Sequence, residues 1–103
     1  TYTMGMSDLG FEWDQQKADA NEAKHGISFE EASTVFYDEA ALLIGDPDHS
    51  EDEYRFVLLG MSVVSRVLVV CHCYRESDEV IRLISARKAG RHEREQYLKR
   101  FKP

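Results

Sequence analysis

The sequence predicts an α+β domain in which helices pack on one face of an antiparallel sheet. Three observations predict it: two helix signals near the N-terminus, four strand-like runs in series, and a closing basic helix. Strands that follow one another at hairpin distance pair antiparallel, and the flanking helices bury their apolar stripes against that sheet. The 103 residues suffice for one hydrophobic core and not for two. Residues 10–103 are read as a single domain, and residues 1–9 as an appended tail outside it.

The elements follow in order. Gly10–Trp13 reads as a short strand with Phe11 and Trp13 on one face. Asp14 is a natural N-cap for a helix from Gln15 to His25, and Gly26 stands where helices turn left-handed. That helix packs lightly, because its apolar residues are only Ala18, Ala20 and Ala23. Ser28 and Glu31 form a capping box for a second helix ending near Asp38, with Phe29, Ala32 and Phe36 as its core-facing stripe. A strand at Ala40–Gly45 leads into the acidic loop Asp46–Glu53.

Tyr54–Ser62 and Arg66–Glu76 are strands joined by a short turn at Val63–Ser65, which lacks the expected glycine. The second of them is the strongest strand in the chain, β-branched through its centre. Ser77-Asp78 forms the tip of a hairpin into Val80–Lys88, and Gly90 breaks the pattern. His92–Lys102 reads as the last helix, with Glu95 and Lys99 paired at i, i+4 and Tyr97, Leu98 and Phe101 docking it. The order is β-α-α-β-β-β-β-α.

Charge is divided unevenly along the chain. Through Glu53 the formal balance is −12, and from Tyr54 onward it is +6, within a total of −6 and a pI near 5.1. A polyanion responds to the local field rather than the total, so the basic half is compatible with nucleic acid. No apolar run approaches the roughly 18–20 residues of a membrane span, and no signal-peptide pattern occurs, so a cytoplasmic protein is expected. Cys71 and Cys73 alternate on one strand face, a geometry that disfavours a disulfide between them. They read as reduced core thiols rather than metal ligands, and no metal or other cofactor is expected.

The hairpin Arg66–Lys88 holds most residues able to carry chemistry. With a two-residue turn, Arg75 opposes Val80 and Cys73 opposes Arg82 on one face. On the other face Tyr74 opposes Ile81, His72 opposes Leu83, and Val70 and Leu68 oppose Ser85 and Arg87. His72, Tyr74, Ser85 and Arg87 then form one cluster, and Arg75 with Arg82 a second. A bulge or longer turn would merge them, because a shift of one residue exchanges faces. Any single arginine here is also explained as a solvated strand residue lying over apolar neighbours. Four of them, Arg55, Arg75, Arg82 and Arg87, on three adjacent strands are better explained by an anion. His49 in the acidic loop is either a solvated loop histidine or a proton-transfer group. His25 reads as a helix-dipole partner and His92 as a surface residue.

Several of these segments form a pattern. Phe11-Glu12-Trp13-Asp14 with Lys17, Asn21, Lys24-His25-Gly26 and Ser28-Phe29-Glu30-Glu31-Ala32 resembles the N-terminal signature of the BrnT family. The resemblance continues through Asp46-Pro47-Asp48-His49-Ser50, Arg55, Gly60, His72, Tyr74-Arg75 and Arg82-Leu83-Ile84-Ser85-Ala86-Arg87-Lys88-Ala89, and closes with Arg91–Tyr97. It implies a RelE-like fold and a ribonuclease toxin of a bacterial type II toxin–antitoxin module, which cleaves RNA without metal and so inhibits translation. A BrnA-type antitoxin would neutralise it in a 2:2 heterotetramer, and operator DNA would be reached only through the antitoxin.

On these residues the implied chemistry is a proton transfer beside cations that stabilise a pentavalent phosphate. His72 or His49 would be base or acid, with Arg55, Arg75, Arg82 and Arg87 on phosphates and Tyr74 stacked on a base. Lys24 and Lys88 would add phosphate contacts. Two other readings stay open: a binding module of the same fold without catalysis, acting with the antitoxin as scaffold or corepressor, and a protein whose arginines hold an anionic metabolite.

Overall fold

A computed structural model describes residues 10–45, 55–75 and 79–101. Its elements are β1 (Gly10–Glu12), α1 (Gln15–His25), α2 (Phe29–Thr34), β2 (Leu42–Gly45), β3 (Phe56–Met61), β4 (Val67–Arg75), β5 (Val80–Lys88) and α3 (Arg91–Leu98). Single 3₁₀ turns extend α2 over Val35–Tyr37 and α3 over Lys99–Phe101. The expected order β-α-α-β-β-β-β-α is the observed one. The predicted loop containing His49, the hairpin tip Ser77-Asp78 and the tail 1–9 lie outside the described residues.

The five strands form one sheet in the order β1-β5-β4-β3-β2. Neighbours from β2 to β5 pair antiparallel as expected, but β1 joins the outer edge of β5 in parallel, so the sheet is mixed. The chain leaves β1 through two helices before it returns, and a crossover of that length permits parallel pairing that no hairpin could.

Capping explains the helix limits. The Asp14 carboxylate accepts from the Gln16 and Lys17 amides, and Gly26 takes φ 73° at the C-terminus of α1. Ser28 Oγ accepts from the Glu31 amide at 3.0 Å. At the β3–β4 turn Ser65 adopts φ 67° where a glycine is expected, and its amide donates to the Ser62 carbonyl. That turn is tied to α2 by Arg66, whose guanidinium holds Glu31 through both Nε and Nη2, while Ser62 Oγ donates to the same carboxylate.

The sheet separates two apolar clusters. Phe11, Trp13, Ile27, Phe29, Ala32 and Val35 pack with Leu58, Leu68, Val70, Ile81, Leu83 and Ala86 on the face under α1 and α2. The alternate residues Leu59, Val67 and Val69 face the other way and receive Tyr97 of α3. The expectation that all helices share one face is therefore corrected. Tyr97 carries a hydroxyl that needs a partner when buried, and it donates to Asp38 Oδ2 at 2.6 Å, which draws α3 across the second face. Within α3, Glu95 pairs with Arg91 behind it at 3.3 Å, rather than with Lys99 ahead.

β1 covers only Val80–Arg82 of the β5 edge. Farther along, the buried Asn21 takes over from α1. Its amide nitrogen donates to the Ala86 and Ile27 carbonyls at 2.9 and 3.1 Å, and its oxygen accepts from the Ala86 amide at 3.0 Å. One side chain thus gives Ala86 the two bonds that a neighbouring strand would supply. Asn21→Leu fills the space and satisfies none of them, so it should cost about 2–4 kcal/mol. The denaturant midpoint should fall accordingly, and a loss under about 0.5 kcal/mol would show that the clamp contributes little.

Candidate functional site

β4 and β5 pair in the predicted register from Arg75↔Val80 to His72↔Leu83. The next pair is Cys71↔Ser85, so Ile84 is an extra residue in β5. This bulge carries Ser85 opposite Cys71 and Arg87 opposite Val69, on the face away from α1 and α2. Ser85 and Arg87 therefore join Arg75 and Arg82 and leave His72 and Tyr74 behind. The two predicted clusters are not merged; their membership is redrawn.

The resulting surface lies on the part of the sheet that α3 leaves open. Arg82 is the direct register partner of Glu12, and Arg75 is its diagonal neighbour across Cys73. Arg75 Nε and Arg82 Nη1 lie 3.2 and 3.4 Å from the same oxygen, Glu12 Oε1. Two guanidiniums sharing one carboxylate leave a net positive charge, and Glu12 relieves the repulsion of like charges on adjacent strands. The side chains of Arg75 and Arg82 are 49% and 32% exposed, so both reach solvent, and each guanidinium has more N–H groups than its contact with Glu12 uses.

Arg87 sits two alternate steps farther along β5, about 13 Å from Arg82 at ordinary strand rise. Its guanidinium is engaged by Glu93 through both Nη1 and Nη2, at 2.8 and 2.7 Å. The bond to Arg87 holds the Glu93 carboxyl below its usual range. Glu93 also accepts from the Gly90 amide at 2.7 Å, so this pair fastens the start of α3 to the sheet. Arg87 borders the site and is committed to that joint.

His72 is placed otherwise than expected. Its ring is fully buried on the helix-covered face, edge-on to Phe36 and Tyr74 at 4.8 and 5.3 Å. Nδ1 lies 3.3 Å from the Val70 carbonyl, which can only accept, so that nitrogen carries the proton. Nε2 is left to accept from the Tyr74 hydroxyl at 3.4 Å. Buried in this way the ring offers no nitrogen to a substrate. Tyr74 is half-buried between His72 and Phe56. Arg55 stands immediately before Phe56, half-buried. Lys24 on α1 and Lys88 at the end of β5 are exposed, and neither lies with Arg75 and Arg82: α1 covers the opposite face, and Lys88 opposes Leu68.

Sequence reasoning missed Glu12 and Glu93. The signal for Glu12 was its position between Phe11 and Trp13, which turns it away from the core they enter. What the sequence withheld was the strand edge that β1 would join. Glu93 stood three residues after Gly90, the spacing of a side chain that returns to a helix start.

Burial pushes the His72 imidazole down to about 4, with the Val70 carbonyl opposing that shift. A ring neutral in the folded state and titrating near 6.5 when unfolded adds stability above pH 6.5 that disappears as the pH falls toward 4. The size is on the order of 3 kcal/mol. His72→Phe should remove this part of the acid-side loss, read from Tm between pH 7 and 4. A mutant curve parallel to wild type would place the ring in water.

Among the described residues, no helix is long and apolar enough to cross a membrane. The fold is similar to the crystal structure of the Brucella abortus ribonuclease toxin BrnT, with a TM-score of 0.62 and 21% identity, over 82% of this chain and 100% of that one. No curated protein sequence matches. Residues 13–93 match the family described as "Ribonuclease toxin, BrnT, of type II toxin-antitoxin system". That span takes in α1, α2, the β2–β5 hairpins and the Glu93 joint, and the chain belongs to the BrnT family of ribonuclease toxins of type II toxin–antitoxin systems.

Proposed function

We propose that this toxin cleaves single-stranded RNA on the open sheet face, with Arg75 and Arg82 as the phosphate-holding pair. The observation that carries the reading is their convergence, from two strands, on one carboxylate oxygen in a solvent-facing position. A guanidinium fork matches the geometry of a phosphate, and an arginine keeps its charge at any physiological pH. Such a pair can bind the scissile phosphate and stabilise the charge that grows on it in a pentavalent transition state.

The reaction proposed is attack of the ribose 2′-hydroxyl on the adjacent phosphorus, which needs no metal in principle. Tyr74 belongs to the helix-side margin of β4 beside Phe56, where a base next to the scissile link could stack, and Arg55 precedes β3 as a further phosphate contact. His72 supports that margin through its contact with the Tyr74 hydroxyl and acts as a positioning residue. Lys24 and Lys88 fall outside the site in this reading. His49 carries no assigned role.

The toxin would act in the cytoplasm and stop growth by cutting messages during translation. Its partner would be a BrnA-type antitoxin in a 2:2 complex that contributes the contacts to operator DNA.

Expression without the antitoxin should arrest bacterial growth. Arg75→Ala and Arg82→Ala should each relieve the arrest and lower RNA cleavage by roughly 10²–10³-fold, with the thermal transition kept. Wild-type toxicity in both variants at equal protein levels would remove this site. A protein that binds antitoxin while leaving RNA intact would favour the non-catalytic scaffold.

A further inference from the structure

His72, one of the two imidazoles expected as base or acid, is not on the open face, yet that face holds another group able to take a proton. Glu12 Oε1 is the oxygen nearest both guanidiniums, whereas Oε2 accepts no hydrogen bond among the described residues. The side chain is 17% exposed, so it reaches the surface without floating in solvent. Its backbone is fixed by pairing of Gly10–Glu12 with Val80–Arg82, and its flanking residues Phe11 and Trp13 are buried on the opposite side. One oxygen is thus anchored and the other presented, beside the two cations proposed to hold the phosphate.

We propose that Glu12 is the general base of the cleavage reaction, a reading that rests on the phosphate site described above. Glu12 Oε2 takes the proton of the 2′-hydroxyl as that oxygen forms its bond to phosphorus. The bond from phosphorus to the 5′-oxygen breaks with its electron pair, and the leaving oxygen takes a proton from solvent water. The products are a 2′,3′-cyclic phosphate and a 5′-hydroxyl, and no oxidant, reductant or second substrate is consumed. Arg75 and Arg82 keep N–H groups free for the phosphate while they hold Oε1, so binding of the substrate need not dislodge the base.

The competing explanation is that Glu12 only neutralises two neighbouring arginines. Glu12→Gln separates the two, because an amide oxygen still accepts from Arg82 and lies beside Arg75 but does not take the proton. The measurements are single-turnover cleavage of a defined oligoribonucleotide from pH 5 to 9, and binding of its 2′-O-methyl analogue, which cannot react. The proposal expects Glu12→Gln to lose roughly 10²–10⁴-fold in rate throughout that pH range. It expects analogue affinity to stay within about threefold and the melting transition to be retained. Glu12→Gln cleaving within tenfold of wild type, with Arg82→Ala inactive, would overturn Glu12 as base and leave the site standing. Full activity in both would overturn the site and the base together. Loss of analogue binding in parallel with cleavage in Glu12→Gln would make Glu12 an organiser of the arginines and end its role as base.

Discussion

One extra residue in β5 governs which side chains share a face of this sheet. Because Ile84 is bulged, every side chain after it exchanges faces relative to the plain hairpin. Ser85 and Arg87 turn to the open side, and Ala86 turns into the core beneath α1 and α2. Without the bulge Arg87 would face Leu68 and the helices, where a guanidinium needs a buried partner or costs several kcal/mol. Two contacts outside the hairpin hold the shifted register. Asn21 clamps the Ala86 backbone from α1, and Glu93 grips Arg87 from α3. The helices on the two faces therefore meet at adjacent residues of one strand, and the sheet between them keeps its arginine surface.

In the proposed reading, that surface also reconciles an acidic protein with a polyanionic substrate. The formal total is −6, but most of the acidic residues precede Tyr54, and the open face is built mainly from strands that follow it. Among the described residues, the carboxylates at this face are held in place. Glu12 serves two arginines at once, and Glu93 is spent on a joint between helix and sheet. What remains is a small cationic site rather than a broad basic patch, suited to gripping one phosphate more than to coating a long duplex.

Much of this was legible in advance. The caps at Asp14 and Ser28, the apolar stripe of α2 and the alternation in β4 depend on neighbours in the chain, and each occurs where local chemistry puts it. The register near the tip of the last hairpin was legible for the same reason, as far as His72↔Leu83. The bulge was not, because it depends on Asn21, which is 65 residues from Ala86 in the chain. The parallel seat of β1 and the crossing of α3 to the second face are equally long-range. Those three features leave His72 on the helix-covered face and bring Glu12 to Arg75 and Arg82, an arrangement that neighbours in the chain could not reveal.

The most direct test of the account observes the arginine side chains themselves. Nitrogen-edited NMR of the Nε–H groups during titration with a 2′-O-methyl oligoribonucleotide reports which guanidiniums meet the phosphate. The account predicts that Arg75 and Arg82 signals move first and together, and that rising salt reverses the change. Unmoved signals from both, with shifts confined to α1 around Lys24, would place RNA on the other side of the sheet and contradict it.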